Sequence, residues 1–328
     1  MRRVRALVCH AVTGTLDVSV DDVADPVAGP GQVVVRVAAA SVDFVDTLIA
    51  TGRYQIPVPV PFTPGNSLAG EVVEVGPGAG RFAVGDRVHG MAMIGAHAEE
   101  VTLPEDRLRR TPAGLRPDLA CLTGSTYRTA YDALVSTAAV RPGERVVVLG
   151  ASGAVGSAAI TVAKALGASV IACASTQRKL DFCRELGADD VVAYDEVDLK
   201  GALKALCPRG ADVVLDMVGG EHSEAALRAT GYGGCFVVIG FASGSIPRVP
   251  LNLVLLKGSL VTGYEIGDFE RHQPEEAAAN RDALEAMIAD GRLTPPVTGR
   301  FPLERAAEAM AHVAGRDKFG ATILDLGA

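Results

Sequence analysis

A seven-residue stretch near the middle of the chain, Gly150-Ala151-Ser152-Gly153-Ala154-Val155-Gly156, leaves few folds open. It follows an apolar run, Arg145-Val146-Val147-Val148-Leu149, that reads as a buried strand. After it, Val155, Ala158, Ala159, Val162, Ala163 and Leu166 recur at helical spacing, and Gly167 stands where a helix C-cap is expected. A second apolar run, Ser169-Val170-Ile171-Ala172-Cys173-Ala174, comes next. Strand, glycine turn, helix and strand make a βαβ unit, a G-x-G-x-x-G fingerprint with Ala151 in place of the first glycine. Small residues are needed there because the backbone must turn sharply and approach a pyrophosphate. The helix N-terminus then supplies N–H donors and a partial positive charge.

The end of the second strand bears on which dinucleotide is held. An NAD-binding unit places an acid there for the ribose 2′-hydroxyl. Here the position is Ala174, followed by Ser175-Thr176-Gln177-Arg178-Lys179. No carboxylate repels a 2′-phosphate, while hydroxyls and two cations are at hand, so NADPH is favoured over NADH. The alternative reading puts Arg178 and Lys179 on a solvated helix face.

Strand-like and helical text goes on alternating through Val191–Tyr194, Ala211–Val218, Cys235–Gly240 and Ser259–Tyr264. Six strand candidates separated by helices predict an α/β fold with a doubly wound parallel sheet. The first 120 residues or so differ. They hold short alternating runs such as Gln32–Val37 and Gly70–Gly76, bounded by turns such as Gly29-Pro30-Gly31 and Gly76-Pro77-Gly78. This reading gives a β domain over 1–124, a nucleotide-binding domain over 125–267, and a tail, 268–328, that completes the first. The tail contains one clear helix, Ala277–Asp290.

With 31 basic and 39 acidic residues the net charge is −8, which with no basic tract argues against a nucleic-acid partner. No apolar run reaches the ~20 residues of a membrane helix. The basic N-terminus, Met1 to Arg5, reads as the start of a strand rather than a signal peptide. Six scattered cysteines without a C-x-x-C pair suit buried, reduced thiols in a cytoplasmic protein.

These motifs, with others along the chain, resemble the zinc-independent quinone oxidoreductase branch of the medium-chain dehydrogenase/reductase superfamily. The resemblance rests on Ser41–Thr47 with Gly52-Arg53-Tyr54, Pro61–Gly65, Gly85–Val88, Thr129-Ala130-Tyr131, Val237–Gly244 and Asn252–Gly258. It implies a GroES-like β domain, a Rossmann domain and a cofactor cleft between them. By this likeness NADPH would touch Tyr54, Ser152, Gly153, Ala154, Val155, Gly156, Ser175, Lys179, Tyr194, Val218, Gly240, Phe241, Ala242, Gly263 and Tyr264. Tyr194 and Lys179 would flank the 2′-phosphate. Members often associate along the last Rossmann strand, here Ser259–Tyr264, which implies a homodimer.

Zinc alcohol dehydrogenases of the superfamily carry cysteine and Gly-His-Glu ligands where this chain has Asp43 and Gly65-Asn66-Ser67. The ligands for a catalytic zinc are therefore missing, and His89 and His97 are stray histidines. Without a Lewis acid the natural acceptors are quinones and α,β-unsaturated carbonyls, for which positioning and a few hydrogen bonds suffice. Tyr54, Thr126 and Tyr127 are the hydroxyl donors expected at the reacting centre, beside Asp43 and Asp46. The branch usually has asparagine where this chain has Asp43, which either shifts substrate preference or enters a loop hydrogen-bond network. Rival readings are a 2-enoyl-CoA reductase, with Arg107, Arg109 and Arg110 for the CoA phosphates, and an NADPH-binding protein with little turnover, as among the lens crystallins of this branch.

Overall fold

The structure, a computed structural model, describes residues 3–327; Met1 and Arg2, part of the basic N-terminus, lie outside the described residues. The chain divides into two compact units. One takes the chain up to Thr126 and again from Pro295; the other spans Tyr127–Thr294.

In the first unit the strands are β1 (Arg3–Cys9), β2 (Val18–Ala24), β3 (Gln32–Val42), β4 (Ser67–Val75), β5 (Arg87–Met91), β6 (Glu100–Pro104) and β7 (Leu108–Arg110). Helix α1 (Phe44–Ala50) follows β3, and α2 (Pro117–Ala120) follows β7. The long β3 organises this unit. Its first half pairs with β6, its second half with the C-terminal strand, and β4 runs along its other side. Val33, Val35, Val37 and Ala40 of β3 meet Leu68, Val72, Val88 and Leu108 in one buried core. Val34, Ala39, Ser41 and Val42 are buried as well, so β3 is covered on both faces along most of its length, and the register shift between Val37 and Ala39 moves the core position from odd to even residues.

The second unit contributes β8 (Arg145–Leu149), β9 (Ser169–Ala174), β10 (Asp190–Ala193), β11 (Ala211–Asp216), β12 (Thr230–Val238) and β13 (Leu260–Gly263). Helix α3 (Thr126–Asp132) precedes β8; between the strands run α4 (Ala154–Ala165), α5 (Gln177–Glu185), α6 (Leu199–Leu206), α7 (Glu221–Ala229) and α8 (Leu251–Lys257), and α9 (Ile266–His272) and α10 (Pro274–Ala289) follow β13. The strands lie in the order β10-β9-β8-β11-β12-β13, every pair parallel. That is the doubly wound sheet predicted above, with the strand order reversing between β8 and β11. Val146, Val147, Val148 and Leu149 are fully buried, as a strand covered on both faces requires.

The last strands, β14 (Val297–Pro302) and β15 (Ala321–Asp325), flank helix α11 (Ala306–Ala314), and β15 pairs with β3. The return to the first unit thus falls at Pro295 rather than residue 268. Helix α10 is the reason. Its Asn280 donates to Asp132 Oδ1 at 2.8 Å, its Arg281 pairs with Glu270 at 2.5 Å, and Leu284, Met287 and Ile288 are buried. The helix also begins earlier than predicted, at Pro274, since proline suits a first helical turn. Strand β12 starts at Thr230 instead of Cys235, and β11 stops at Asp216 instead of Val218, because the Asp216 side chain caps the loop that follows.

Candidate active site

In the second unit the predicted cofactor residues stand at the C-terminal ends of the parallel strands, where open α/β sheets bind ligands. Gly150, at φ +72°, turns the chain out of β8, and the Ala151 N–H donates to Cys173 O at 3.0 Å, tying the turn to β9. Gly153 is the N-cap of the twelve-residue α4 and brings no capping side chain, so the first-turn N–H groups are left for an anion. Gly156 sits where a Cβ would lie 2.3 Å from Gly150 O and 2.7 Å from Ala151 Cα. Only glycine lets α4 pack this closely under the turn. Ser152 is buried, and Ala154 and Val155 are half-buried in the first turn of α4.

Beyond β9, Lys179 Nζ donates to Ser175 Oγ at 3.2 Å, which brings the cation and the hydroxyl to the end of the strand. Tyr194, just past β10, lies against the His222 ring with centroids 4.4 Å apart. The neighbouring loops are organised by a residue that the sequence reading passed over, Asp216. Its Oδ1 accepts the Val218 and Gly219 N–H groups at 2.9 and 2.8 Å, and its Oδ2 accepts the Ser223 hydroxyl at 2.5 Å. Its main-chain oxygen accepts from Ile239 at 2.8 Å, and Met217 O from Ala242 at 3.0 Å. This ties the Gly240-Phe241-Ala242 loop to the turn that follows Asp216. The signal was an acid closing a buried strand just ahead of Met217-Val218-Gly219-Gly220.

Gly263 is exposed at the end of β13, whereas the Tyr264 side chain turns inward and its hydroxyl donates to Asp132 Oδ2 at 2.8 Å. Of these two, only Gly263 offers an open surface at that position. The acceptor, Asp132, was also missed, because its partners Tyr264 and Asn280 come from distant segments.

In the first unit, the end of β3 and the start of α1 gather a buried polar cluster. Asp43 is the N-cap of α1, and its N–H donates to Asp46 Oδ2 at 2.7 Å. Ser41 Oγ donates to Asp43 Oδ2 at 2.9 Å and Thr126 Oγ1 to Asp43 Oδ1 at 3.0 Å. Asn66 Nδ2 donates to Asp46 Oδ1 at 3.3 Å. Burial raises both carboxyls above the ordinary range, Asp46 well above it because the Asp43 charge adds to the cost. The cluster also takes in His97. Its Nε2 donates to Ser41 O at 2.8 Å, and burial lowers its pKa to about 4. Its Nδ1 and Asn66 Oδ1 are buried without a hydrogen-bond partner.

Tyr54 is half-buried against the core that holds Ile49 and Phe62. Tyr127 corrects an expectation. It is fully buried, and its hydroxyl shares a hydrogen bond with Thr161 Oγ1 at 3.1 Å, so it offers no donor to a substrate. The first residue of α3, Thr126, points to Asp43, and helical geometry turns the next one away. His89 shares a hydrogen bond with Thr111 at 3.2 Å. Among the described residues no three His, Cys, Asp or Glu side chains converge as metal ligands would.

A parallel nucleotide-binding sheet inserted into a β unit is the plan of two-part dehydrogenases and reductases. Two family profiles match, the alcohol dehydrogenase GroES-like domain over residues 29–113 and the zinc-binding dehydrogenase domain over residues 154–282. The chain is 35% identical to quinone oxidoreductase-like protein 2 of Rattus norvegicus over 328 residues, covering 99% of this chain and 93% of that protein. Quinone oxidoreductase of Pseudomonas syringae pv. Tomato superposes with a TM-score of 0.90 at 30% identity, covering 98% of this chain and 100% of that one. Escherichia coli quinone oxidoreductase, solved in complex with NADPH, gives 0.90 at 27% identity, with 99% of each chain covered. The chain belongs to the medium-chain dehydrogenase/reductase superfamily, among its quinone oxidoreductases.

Proposed function

We propose that this protein is an NADPH-dependent reductase that passes hydride to quinones or α,β-unsaturated carbonyl compounds without a metal ion. The observation that carries the reading is the end of β9. Ser175 and Lys179 meet there and no carboxylate follows Ala174, so the site accommodates a 2′-phosphate. The complex of the Escherichia coli relative with NADPH supports the same cofactor. Bound NADPH supplies the hydride.

The chain's own residues divide the remaining work. The turn from Gly150 to Gly156 and the uncapped start of α4 hold the pyrophosphate. Lys179, Ser175 and Tyr194 hold the 2′-phosphate end. Gly240 and Gly263 leave space, since a Cβ at either would meet nothing nearer than 3.7 Å. Of the three hydroxyls first considered, Tyr54 is the one we assign to the substrate carbonyl. Thr126 donates to Asp43, and Tyr127 is enclosed. Both Asp43 oxygens accept hydroxyl hydrogen bonds, which favours the loop-network role over a direct part in substrate choice.

The metal-free reading rests on chemistry as well as position. Where zinc relatives have cysteine and histidine, Asp43 and Asn66 stand in a network of hydrogen bonds. Six free, buried cysteines suit a reducing compartment such as the cytoplasm, and no helix among the described residues is long and apolar enough to cross a membrane. We further propose a homodimer through β13. This edge strand and the adjacent α8 expose Leu251 (75%), Leu255 (81%) and Leu260 (55%), an apolar strip that a second copy would cover.

NADPH oxidation followed with a 1,4-benzoquinone, 9,10-phenanthrenequinone, a simple enone and crotonyl-CoA tests the assignment. Chelator-insensitive turnover with NADPH preferred to NADH is expected. No turnover with any acceptor, or loss of activity on chelation, would overturn it.

A further inference from the structure

The parallel sheet of the second unit has two ends, and the cofactor cradle uses only one. At the opposite end, where β11 and β12 begin, lies a cavity of about 230 Å³. Lys204, Arg209, Arg228 and Lys257 line it, with Gly210, Gly231 and Tyr232. Three stretches build these walls, 199–210, 228–233 and 251–258, and none contains an aspartate or glutamate.

The charges there are poorly balanced. Arg228 pairs with Glu224, one helical turn back, at 2.6 Å. Two carboxylates, Asp212 and Asp190, bear electrostatically on Cys207 of the lining, and Asp212 accepts the Arg145 backbone N–H at 2.7 Å. Lys257 is held over the site by its hydrogen bond to Thr230 O at 2.5 Å. Burial, followed by repulsion from Lys204 and Arg228, lowers its pKa. In a protein of net charge −8, Glu224 offsets Arg228, which leaves Lys204, Arg209 and Lys257 as an excess of positive charge around one cavity, and an anion among them relieves that excess. Arginine forks and lysine points together suit phosphate oxygens.

We propose that this cavity is a second binding site, distinct from the cofactor cradle, for a small phosphate-bearing anion of pyrophosphate type. The register separates the two places. Gly150 leaves the C-terminal end of β8, whereas Gly210 and Thr230 stand at the N-terminal ends of β11 and β12. Gly210 has φ +88°, and a Cβ there would lie 2.3 Å from Gly231 Cα, so the two loops close on each other as backbone. Tyr232 is 88% exposed at the rim and gives a bound phosphate ester an aromatic face.

Calorimetric titration of the full chain with inorganic pyrophosphate at low salt tests the site. The comparison is with Lys204→Gln/Arg209→Gln, both exposed positions, and with Lys179→Gln at the cofactor strand. Saturable binding by the unchanged chain is expected, weakened about tenfold or more in the double variant and retained in Lys179→Gln. Absence of saturable binding would overturn the proposal. So would binding that falls in Lys179→Gln and persists in the double variant, since that would place the anion in the cofactor cradle.

Discussion

Ser175 and His97 show how much a single residue decides here, one through the charge it lacks and one through the charge it refuses. A carboxylate at position 175 would stand where Lys179 Nζ meets the serine hydroxyl, 3.2 Å away. Like charges brought together cost several kcal/mol, so Ser175→Asp is expected to lower the kcat/KM preference for NADPH over NADH by roughly a hundredfold. Steady-state kinetics with both cofactors reads this directly, and an unchanged preference would remove Ser175 from the 2′-phosphate site. His97 makes its contribution to stability. Its pKa falls from the ordinary 6.5 to about 4 because the neutral ring is the one that fits the buried cluster. A depressed pKa gives stability that is full above pH 6.5 and is lost as the pH falls through 4. The whole shift corresponds to about 3 kcal/mol. Urea midpoints measured across that window should therefore fall less steeply in His97→Gln than in the unchanged chain. Equal slopes would show that the ring is not protonated on unfolding in this range.

At the scale of elements, α4 and β13 are opposites in what the sequence made plain. The helix could be read from its own text, since glycines before it, apolar residues at helical spacing within it and Gly167 after it all agree. Strand β13 could be placed, but its exposure could not, because a run such as Leu260-Val261-Thr262-Gly263 reads the same on an edge as in a core. The structure puts it at the sheet edge, with Leu260 55% and Val261 39% exposed. If a second copy covers this edge, Leu260→Asp will leave a monomer where the unchanged chain is a dimer by light scattering. A monomeric unchanged chain would sink the dimer proposal. Helix α10 was recognised as a helix and credited to the wrong unit. What holds it, the bond from Asn280 to Asp132, spans 148 residues of sequence and has no local signature.

For the molecule as a whole, the two units differ in how their chains are closed. All six strands of the parallel sheet come from one continuous segment within Tyr127–Thr294. The other unit needs both termini. Leu303, Ala306, Met310 and Leu324 share a buried core with Leu7, Val42 and Ile49. A fragment of residues 127–294 should accordingly fold alone, with cooperative thermal unfolding, while a chain ending at Thr294 should leave β3 with a bare edge and aggregate. A cooperatively folded, soluble chain lacking residues 295–328 would contradict this division.

By itself the sequence determined the class of fold and the place of the glycine turn between β8 and α4. Those depend on local spacing: glycine where the backbone turns, apolar periods that alternate between strand and helix, and an acid missing after Ala174. Tertiary structure decided the rest. It enclosed Tyr127, turned Tyr264 toward Asp132, gave Asp216 charge of two loops, and gathered four cations at the far end of the sheet. Each of these depends on which distant segments meet, and the direction of a side chain is set by the partner it finds there.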